Sequence, residues 1–557
     1  MTDPAVGPAG ALIVRARIWS GAPIAGADAI AIGGGRVQAV GPAQRLEALA
    51  GPDTLRIDAG GGTVTPGLVD AHLHLVAWAR SRREAPLSPE WSRDRVLETM
   101  RGWAVAHPAA DVLVGRGWAA EGWDAAPSRA ALDAVTGDRP ALLHSKDFHA
   151  LWVNSAALRA AGVDRRTPDP AGGILERDAA GEPTGVAREH AVRLFRPLLP
   201  APDAAADREA LAASVAALHA YGVTGVHVFE GAAERAGLGG LPSLRVLSLL
   251  AHSELDDAIR AGVLSGAVEG GVGIGPVKLF ADGTLGSRTA AMLEPYDGTD
   301  GRGLELIPPV ELRAIVARAQ AAGIAVAVHA IGDRAVRSVL DAFEAASATR
   351  AVPALSSRIE HAQLVHPDDL GRFAALGVAA SMQPAHCTAD IELARRFWST
   401  RLDLAYPWRS LLDAGARLAF GSDAPVEPPD PAEGLASSVS RRRRDSWPRE
   451  GFADGQRITL DEALAAYTEG PARLDGSWPE RGRIAPGAIA DLVVWGADLH
   501  ALDADRLRDA RPRLTLVGGD VVYGDEGLAA VDRGRTNTTT GAPGSRGGRA
   551  RGESGWS

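Results

Sequence analysis

Short apolar runs alternate with alanine-rich helical stretches through the middle of this 557-residue chain. Each of eight runs has the length and apolar content of a buried strand. Several of the helical stretches between them end in glycine, as helices often do. Strand–helix alternation over eight units predicts a parallel, TIM-like (β/α)8 barrel in the α/β class. The eight runs are GLVDAHLHL, GVTGVHVF, LRVLSLLA, PVKLFADG, GIAVAVHAIG, SRIEHAQLV, GVAASMQP and ARLAFGSDAP.

The two ends of the chain carry a different pattern. Residues 1–65 contain short strand-like runs joined by glycine-rich turns, and a matching set lies in 480–525. We predict one small β-sandwich domain built from both ends, with the barrel occupying 66–479. The last segment, 526–557, is rich in Gly, Arg, Thr and Ser and has almost nothing to bury, so we expect a disordered tail there.

One connection between the predicted strands is much longer than the others. About 145 residues separate the first run from the second, and a loop of that length should have structure of its own. It contains six of the 13 tryptophans and the strand-like run RPALLHS. We therefore predict an inserted subdomain over 75–215 that covers the mouth of the barrel.

Composition and charge bear on the partners of the chain and on its location. The net charge of −10 argues against nucleic acid or an anionic membrane as a partner. The arginine run at 441–444 is, on this view, a solvated surface or a subunit contact. One cysteine permits no internal disulfide, and we find no signal peptide or membrane-length apolar run. We expect a cytoplasmic enzyme with a small-molecule substrate, and a homodimer is our guess for its assembly.

Lysine is almost absent from the sequence. Of its 59 lysine and arginine residues only Lys146 and Lys278 are lysine. Arginine cannot lose its proton in a protein, whereas a buried lysine can become a neutral amine, so lysine should persist where that chemistry is needed. Lys278 lies in an apolar strand, and the other strand ends carry imidazoles and a carboxylate, which suggests a metal centre with a modified lysine. For Lys146, chance survival at the surface is the competing interpretation. The polar strand-end residues are His72, His74, His329, His361 and Asp423.

His72 and His74 alternate along the first strand, so both side chains point to one face. Two imidazoles on one face can bind one divalent metal through neutral nitrogens, although the His-X-His pattern alone is a weak signal. Asp70, which precedes them, could support the site from behind.

Several longer motifs occur in a fixed order. They are TPGLVDAHLHL, a strand lysine, VHAIGD, EHAQ and GSDAP, with GRGWAAEGWD, HSKDFHALWVNSAAL and SMQPAHCTAD as further matches. On these motifs the chain resembles the amidohydrolase superfamily of metal-dependent hydrolases. More narrowly, it resembles the amidohydrolase-3 branch, which includes N-substituted formamide deformylase. The similarity extends from about residue 10 to 525.

The resemblance implies a binuclear metal centre. His72 and His74 would bind the more buried ion, and Lys278, carboxylated by carbon dioxide, would bridge the two ions. His329 and His361 would hold the second ion. A mononuclear site, in which four histidines and a carboxylate hold one ion without a carbamate, is the alternative. Zinc is the default ion for these ligands, and manganese, iron and cobalt stay open.

The resemblance also implies the reaction. Asp423 would contact metal and water and act as general base and then as general acid, and His361 is the second predicted catalytic residue. The expected activity is hydrolysis of a non-peptide C–N bond in an amide, an N-formyl or N-acyl amine, or a cyclic amide. An esterase on the same centre and a non-catalytic binding barrel are the alternatives. The filled ligand positions argue against the non-catalytic barrel.

Further residues are candidates for substrate binding. Two lie in HSKDFHALWVN, which the resemblance places near the mouth of the barrel, and three lie at the ends of the second and seventh strands. The histidine at the end of the second strand could instead be a satisfied core group. Two tryptophans of the insertion could line an apolar pocket or form the insertion's own core. The candidates are Lys146, Phe148, His227, Gln383, His386, Trp118 and Trp123.

Overall fold

A computed structural model describes residues 8–120, 122–146, 150–199, 203–241, 243–347 and 353–524. Eight strands in the centre of the chain pair in sequence order, and every neighbouring pair is parallel. Each strand falls within one of the eight predicted runs or overlaps it, so the predicted TIM-like barrel is confirmed. Barrel strands 1 to 8 are Leu68–Leu73, Val223–Val228, Arg245–Ala251, Val272–Phe280, Val326–Ala330, Arg358–His361, Ala379–Met382 and Leu418–Phe420.

The barrel closes where barrel strand 8 meets barrel strand 1. The Asp423 N–H donates to the His72 carbonyl at 2.6 Å, and the His74 N–H donates to the Ala424 carbonyl at 2.8 Å. Gly421 permits this close approach, because a Cβ at that position would lie only 3.0 Å from the Cα of His72. The seam therefore holds two predicted site histidines against the segment that carries Asp423.

Helices surround the barrel, and the longer ones bury apolar side chains. The helix Asp333–Ser347 buries Val336, Leu340 and Phe343, a spacing of three and four residues that lines one side. The helix Pro367–Leu376 ends at Gly377, whose φ of +66° is the left-handed conformation expected of a C-terminal glycine. The other helices of this layer are Ala204–Ala220, Ala232–Arg235, Leu255–Ala261, Pro309–Ala321, Pro384–Ala389, Ile391–Phe397, Trp408–Asp413, Pro431–Ser440, Leu460–Tyr467 and Glu469–Leu474.

Two small sheets are built from the two ends of the described chain. One has the strand order Arg36–Gly41, Ala29–Gly33, Ala9–Val14 and Ala50–Asp58. The second has the order Arg17–Ile18, Thr63–Pro66, Leu492–Trp495, Pro512–Val517 and Asp520–Gly524. Their inner faces share one apolar core that includes Ile13, Ile57, Val64, Leu492 and Leu516. Strands from the start and the end of the sequence therefore interleave within one sheet.

The long connection after barrel strand 1 contains a six-stranded sheet of its own. Its strand order is Gly173–Arg177, Pro183–Glu189, Ala150–Val153, Ala141–Ser145, Leu113–Trp118 and Ala85–Pro86. The helical segments of this connection are Leu75–Ser81, Arg93–Ala106, Arg129–Thr136, Ser155–Ala160 and the 3-10 segment His190–Leu198. Separate apolar cores, one of which contains Met100, Leu143 and Trp152, lie within it. The insertion thus packs largely on itself.

The arginine run at 441–444 begins with a buried residue. The Arg441 guanidinium donates to the carbonyls of Ala405, Tyr406 and Phe452 and lies over the Trp408 ring. The prediction of a solvated run is therefore wrong at this position, because loop carbonyls inside the protein need a donor. The next three arginines all form ion pairs with nearby acids. Within the described ranges no helix combines the length and apolar character that crossing a bilayer requires.

Candidate metal centre

The six side chains predicted to bind metal gather at one end of the barrel, together with His386, a predicted substrate contact. Parallel strands bring their carboxyl ends to a common rim, and six strands or the turns directly after them supply polar groups there. All of these side chains are buried except His74, which is partly exposed. They are His72, His74, Lys278, His329, His361, His386 and Asp423.

The His72 ring is held at one edge by a hydrogen bond and on one face by an aromatic ring. Its Nδ1 lies 2.8 Å from Oε2 of Glu360, and its ring stacks on Phe229 with centroids 3.8 Å apart. Burial and the nearby Lys278 charge hold the pKa of His72 well below its usual range, so the imidazole is neutral. Nδ1–H then donates to the carboxylate, and the bare Nε2 faces Oδ1 of Asp423 at 3.4 Å.

His74 approaches the same oxygen. Its Nε2 lies 3.6 Å from Oδ1 of Asp423, and burial lowers the pKa of His74 to about 4. Ligand atoms of two neutral imidazoles and one carboxyl group thus lie within 4.8 Å of one another. In a tetrahedral zinc site with ligand bonds of about 2.1 Å, the ligand atoms are about 3.4 Å apart. The donor set of His72, His74 and Asp423 therefore fits a divalent metal.

A second group of donors uses the other oxygen of Asp423. Nδ1 of His361 donates to Oε1 of Gln383 at 2.7 Å, which leaves its Nε2 as an acceptor. Nε2 of His386 lies 3.9 Å from Oδ2 of Asp423 and has no hydrogen-bond partner among the described residues. Burial and the charge of Lys146 lower the pKa of His386 to about 3. His386, predicted as a substrate contact, thus offers a metal-type nitrogen, and ligand atoms of His361, His386 and Asp423 lie within 4.8 Å of one another.

Backbone conformation helps to aim two of these side chains. Successive residues of a strand point to opposite faces, so Glu360 and His361 would diverge in a regular strand. His361 instead has a φ of +74°, and Asp423 has a φ of +59°. Such left-handed conformations at non-glycine residues cost about 1–3 kcal/mol and persist where surrounding contacts enforce them. Here the Gln383 contact and the bond to the His72 carbonyl supply that support.

Lys278 lies inside the barrel beside the same carboxylate. Its Nζ is 4.4 Å from the centroid of the Phe229 ring and 5.0 Å from that of Phe280. Burial lowers the pKa of Lys278 and raises that of Asp423, because both charged forms lose hydration. A neutral amine at Lys278 is therefore much easier to form than at an exposed lysine.

His329 lies at the rim but does not complete either group of three ligand atoms in the described part of the chain. Its ring packs edge-on against His361, with centroids 4.5 Å apart, and its Nε2 lies 3.2 Å from the Gly283 carbonyl. Asp282, 3.6 Å from the same nitrogen, accepts N–H bonds from Ala291, Ile331 and Gly332. Asp282 therefore fixes loops around the rim.

Two charged residues of the site were assigned no role from the sequence. Glu360 and Arg358 lie two residues apart on barrel strand 6 and are fully buried, with Oε1 and Nε 2.6 Å apart. The available signal was their presence in the otherwise apolar run SRIEHAQLV, where a buried charge needs a partner. Asp70 matches its predicted supporting place, since its carboxylate accepts bonds from Ser422 and from the His72 N–H.

Some of the predicted substrate residues lie away from the rim. His227 is fully buried inside the barrel, where its Nδ1 accepts a bond from Arg358 at 2.8 Å, a location that corresponds to the alternative of a satisfied core histidine. Trp118 and Trp123 pack with Trp152 in the insertion, with centroids about 6 Å apart. These contacts correspond to the alternative interpretation of the two tryptophans as core residues.

The remaining predicted substrate residues have different surroundings. Lys146, at the end of an insertion strand, forms an ion pair with Glu427, Nζ to Oε1 2.6 Å, and so joins the insertion to the loop after barrel strand 8. Gln383 supports His361, as described above. Phe148 lies outside the described residues.

An eight-stranded parallel barrel whose rim gathers neutral imidazoles around a carboxylate defines a metal-dependent hydrolase. A model described as "Amidohydrolase family" matches residues 56–523 of the chain. The chain belongs to the amidohydrolase family, and it is a hydrolase acting on carbon–nitrogen bonds.

Individual relatives extend this comparison. The chain is 33% identical over 512 residues to the protein YtcJ of Bacillus subtilis (strain 168), covering 89% of this chain and 96% of that one. It is 30% identical over 523 residues to N-substituted formamide deformylase of Arthrobacter pascens, covering 89% and 95%. Among solved structures, an uncharacterized metal-dependent hydrolase from Pyrococcus horikoshii OT3 superposes with a TM-score of 0.72 and 25% identity, covering 89% and 99%.

Proposed function

We propose that this protein hydrolyses a non-peptide C–N bond of a small molecule, in an N-formyl or N-acyl amine, another amide or a cyclic amide. One observation carries the proposal. The Asp423 carboxylate lies between His72 and His74 on one side, 3.4 and 3.6 Å from Oδ1, and His386 on the other, 3.9 Å from Oδ2. The similarity to N-substituted formamide deformylase supports a carbonyl carbon bound to nitrogen as the point of attack.

His72, His74 and Asp423 would hold one divalent ion, and we propose zinc. His361 and His386 offer nitrogens to a second ion on the other side of the carboxylate. When bound, zinc would lower the pKa of a water molecule from about 15.7 toward about 7 and polarise the substrate carbonyl. The imidazoles serve this role as neutral ligands, because burial keeps them unprotonated.

We also propose that Lys278 is carboxylated. The ammonium group would first lose one proton. The neutral amine would then attack carbon dioxide, form an N–C bond and release a second proton, which leaves an anionic carbamate. The lowered pKa of the buried amine favours this step, since only the neutral form has a free electron pair. The carbamate would place two oxygens near the Asp423 side of the rim, with His329 as the further ligand that the family resemblance implies.

Asp423 would move the proton during hydrolysis. As carboxylate it accepts a proton from the attacking water, and burial, which raises its pKa, makes the protonated form accessible near neutral pH. The protonated carboxyl then donates to the departing nitrogen. Without that proton the nitrogen would leave as an amide anion, which is a very poor leaving group.

The test compares amides with matched esters. Zinc-loaded protein is assayed against N-substituted formamides, N-acyl amines, cyclic amides and formate esters, beside Asp423→Asn and the control Asp369→Asn. Asp369 is also buried but pairs with Arg337 on the helix layer. We expect amide cleavage that falls by at least about 100-fold in Asp423→Asn and is retained in Asp369→Asn. Cleavage of esters alone, or full activity in Asp423→Asn, would refute the proposal.

A further inference from the structure

A row of buried polar side chains runs through the interior of the barrel, starting behind His72. Barrels of this kind ordinarily fill that space with branched apolar side chains. Here barrel strands 2 and 6 supply an arginine, a glutamate and a histidine, and each is at most 1% exposed. Three charged or polar groups in such a place lose their hydration, so each needs a specific partner.

The first link joins the row to the metal centre. Nδ1 of His72 donates to Oε2 of Glu360 at 2.8 Å, and Oε1 of Glu360 pairs with Nε of Arg358 at 2.6 Å. The Glu360 side chain is thus held between the arginine and the imidazole, and hydrogen bonds between charged partners are stronger than those between neutral ones. This contact selects the tautomer of His72 that leaves Nε2 free to bind a cation.

The second link extends the row to barrel strand 2. Nη1 of Arg358 lies 2.8 Å from Nδ1 of His227. A guanidinium can only donate, so Nδ1 of His227 is the acceptor and its proton sits on Nε2. That nitrogen faces Oδ2 of Asp475 at 3.7 Å, and Asp475 in turn pairs with Arg481 at 2.7 Å. The row therefore ends at an ion pair beyond the helix Glu469–Leu474.

Phe229 holds the two ends of the first link together. The His72 ring stacks on it at 3.8 Å, and the Arg358 guanidinium lies 5.5 Å from the same centroid. A shift of Arg358 would therefore move both the carboxylate that holds His72 and the aromatic surface beneath its ring.

We propose that Glu360, Arg358 and His227 are positioning residues that hold the His72 ring in the orientation for metal binding. His227 acts indirectly. It accepts a hydrogen bond from Arg358, and Arg358 pairs with Glu360, which contacts His72. The inference rests on the proposed metal site and adds that buried residues of barrel strands 2 and 6 set the affinity of that site.

The test measures Zn²⁺ affinity by competition with a chromophoric chelator, together with thermal unfolding of the metal-free protein. His227→Phe keeps a ring but removes the acceptor for Arg358, whereas His227→Gln retains an acceptor. His219→Phe is the matched control, because His219 is also a buried histidine, bonded to the Ser243 carbonyl on the helix layer outside the row.

We expect His227→Phe to raise the Kd for Zn²⁺ about tenfold, His227→Gln to raise it less than about threefold, and His219→Phe to leave it unchanged. A wild-type Kd in His227→Phe, or an equal rise in His219→Phe, would overturn the inference. If His227→Phe does not fold, Glu360→Gln carries the test, with an expected rise of about 10- to 100-fold, and an unchanged Kd there would overturn the inference too. Failure of the wild type to bind Zn²⁺ would instead sink the proposed function and, with it, the inference.

Discussion

Replacing Gly421 by alanine should damage the metal centre although no ligand residue is replaced. The added Cβ would lie 2.7 Å from Oδ1 of Asp70 and 3.0 Å from the Cα of His72. Carbon atoms pack at about 3.5–4.0 Å, so barrel strands 1 and 8 would have to separate by about 0.5–1 Å. The distance from Nε2 of His72 to Oδ1 of Asp423, now 3.4 Å, would grow to about 4 Å, beyond the ligand spacing of about 3.4 Å in a tetrahedral zinc site.

Two quantities should change in Gly421→Ala. Overpacking should lower the free energy of unfolding of the metal-free protein by about 1–3 kcal/mol, measured by urea denaturation. The affinity for Zn²⁺ should fall at least about tenfold, measured by chelator competition.

Gly371→Ala is the control for Gly421→Ala. Gly371 lies within the helix Pro367–Leu376, and a Cβ there would meet nothing within 4 Å. That variant should be slightly more stable than the wild type, by about 0.5–1 kcal/mol, with unchanged zinc affinity. If Gly421→Ala matched the wild type in both stability and zinc affinity, the argument from close approach would be refuted.

Three further predictions concern buried charges. Lys146→Met should lower the free energy of unfolding by about 1–2 kcal/mol, because it leaves Glu427 unpaired. Adding Glu427→Gln to that variant should recover part of the loss, which a double-mutant cycle measures. Lys278→Ala should reduce the metal content from two equivalents to one or fewer by mass spectrometry, with Lys146→Met unchanged; equal content in wild type and Lys278→Ala would remove the lysine from the centre. Burial raises the pKa of Glu230, which accepts the Val76 N–H at 2.7 Å, to about 8. The unfolded carboxyl, with a pKa of about 4.3, loses its proton first, so stability contributed by this group falls as pH rises from about 4.3 to 8. Glu230→Gln should therefore gain stability relative to the wild type across that window, by up to about 1 kcal/mol per pH unit in urea denaturation, and a constant difference would contradict this reasoning.

The barrel could be predicted because its evidence is local in the sequence. Each strand is an apolar run short enough to be recognised alone, and the glycine at the end of the helix Pro367–Leu376 marks its boundary. The gathering of His72, His361 and Asp423 at one rim then follows from parallel strand order, without knowledge of any contact.

The supporting contacts could not be predicted because they join residues far apart in the sequence. His72 and Glu360 are 288 residues apart, and Arg358 and His227 are 131 apart. A single sequence carries no signal for such pairs beyond a charge in an apolar strand. The tryptophans were ambiguous for another reason: a ligand pocket and a subdomain core both require buried aromatic side chains, and Trp118 and Trp123 pack with Trp152.

The interleaved end sheet has a consequence for synthesis of the chain on the ribosome. Thr63–Pro66 pairs with Leu492–Trp495, and the Trp495 indole donates to the Thr65 hydroxyl across 430 residues of sequence. At about 5–20 residues per second, the early strand waits about 20–90 s for its partner to be made. During that time its backbone edge is open while the barrel beside it is being assembled. We expect the nascent chain to bind chaperones until its last strands emerge, and a circular permutant that makes both groups of strands consecutively to depend on them less.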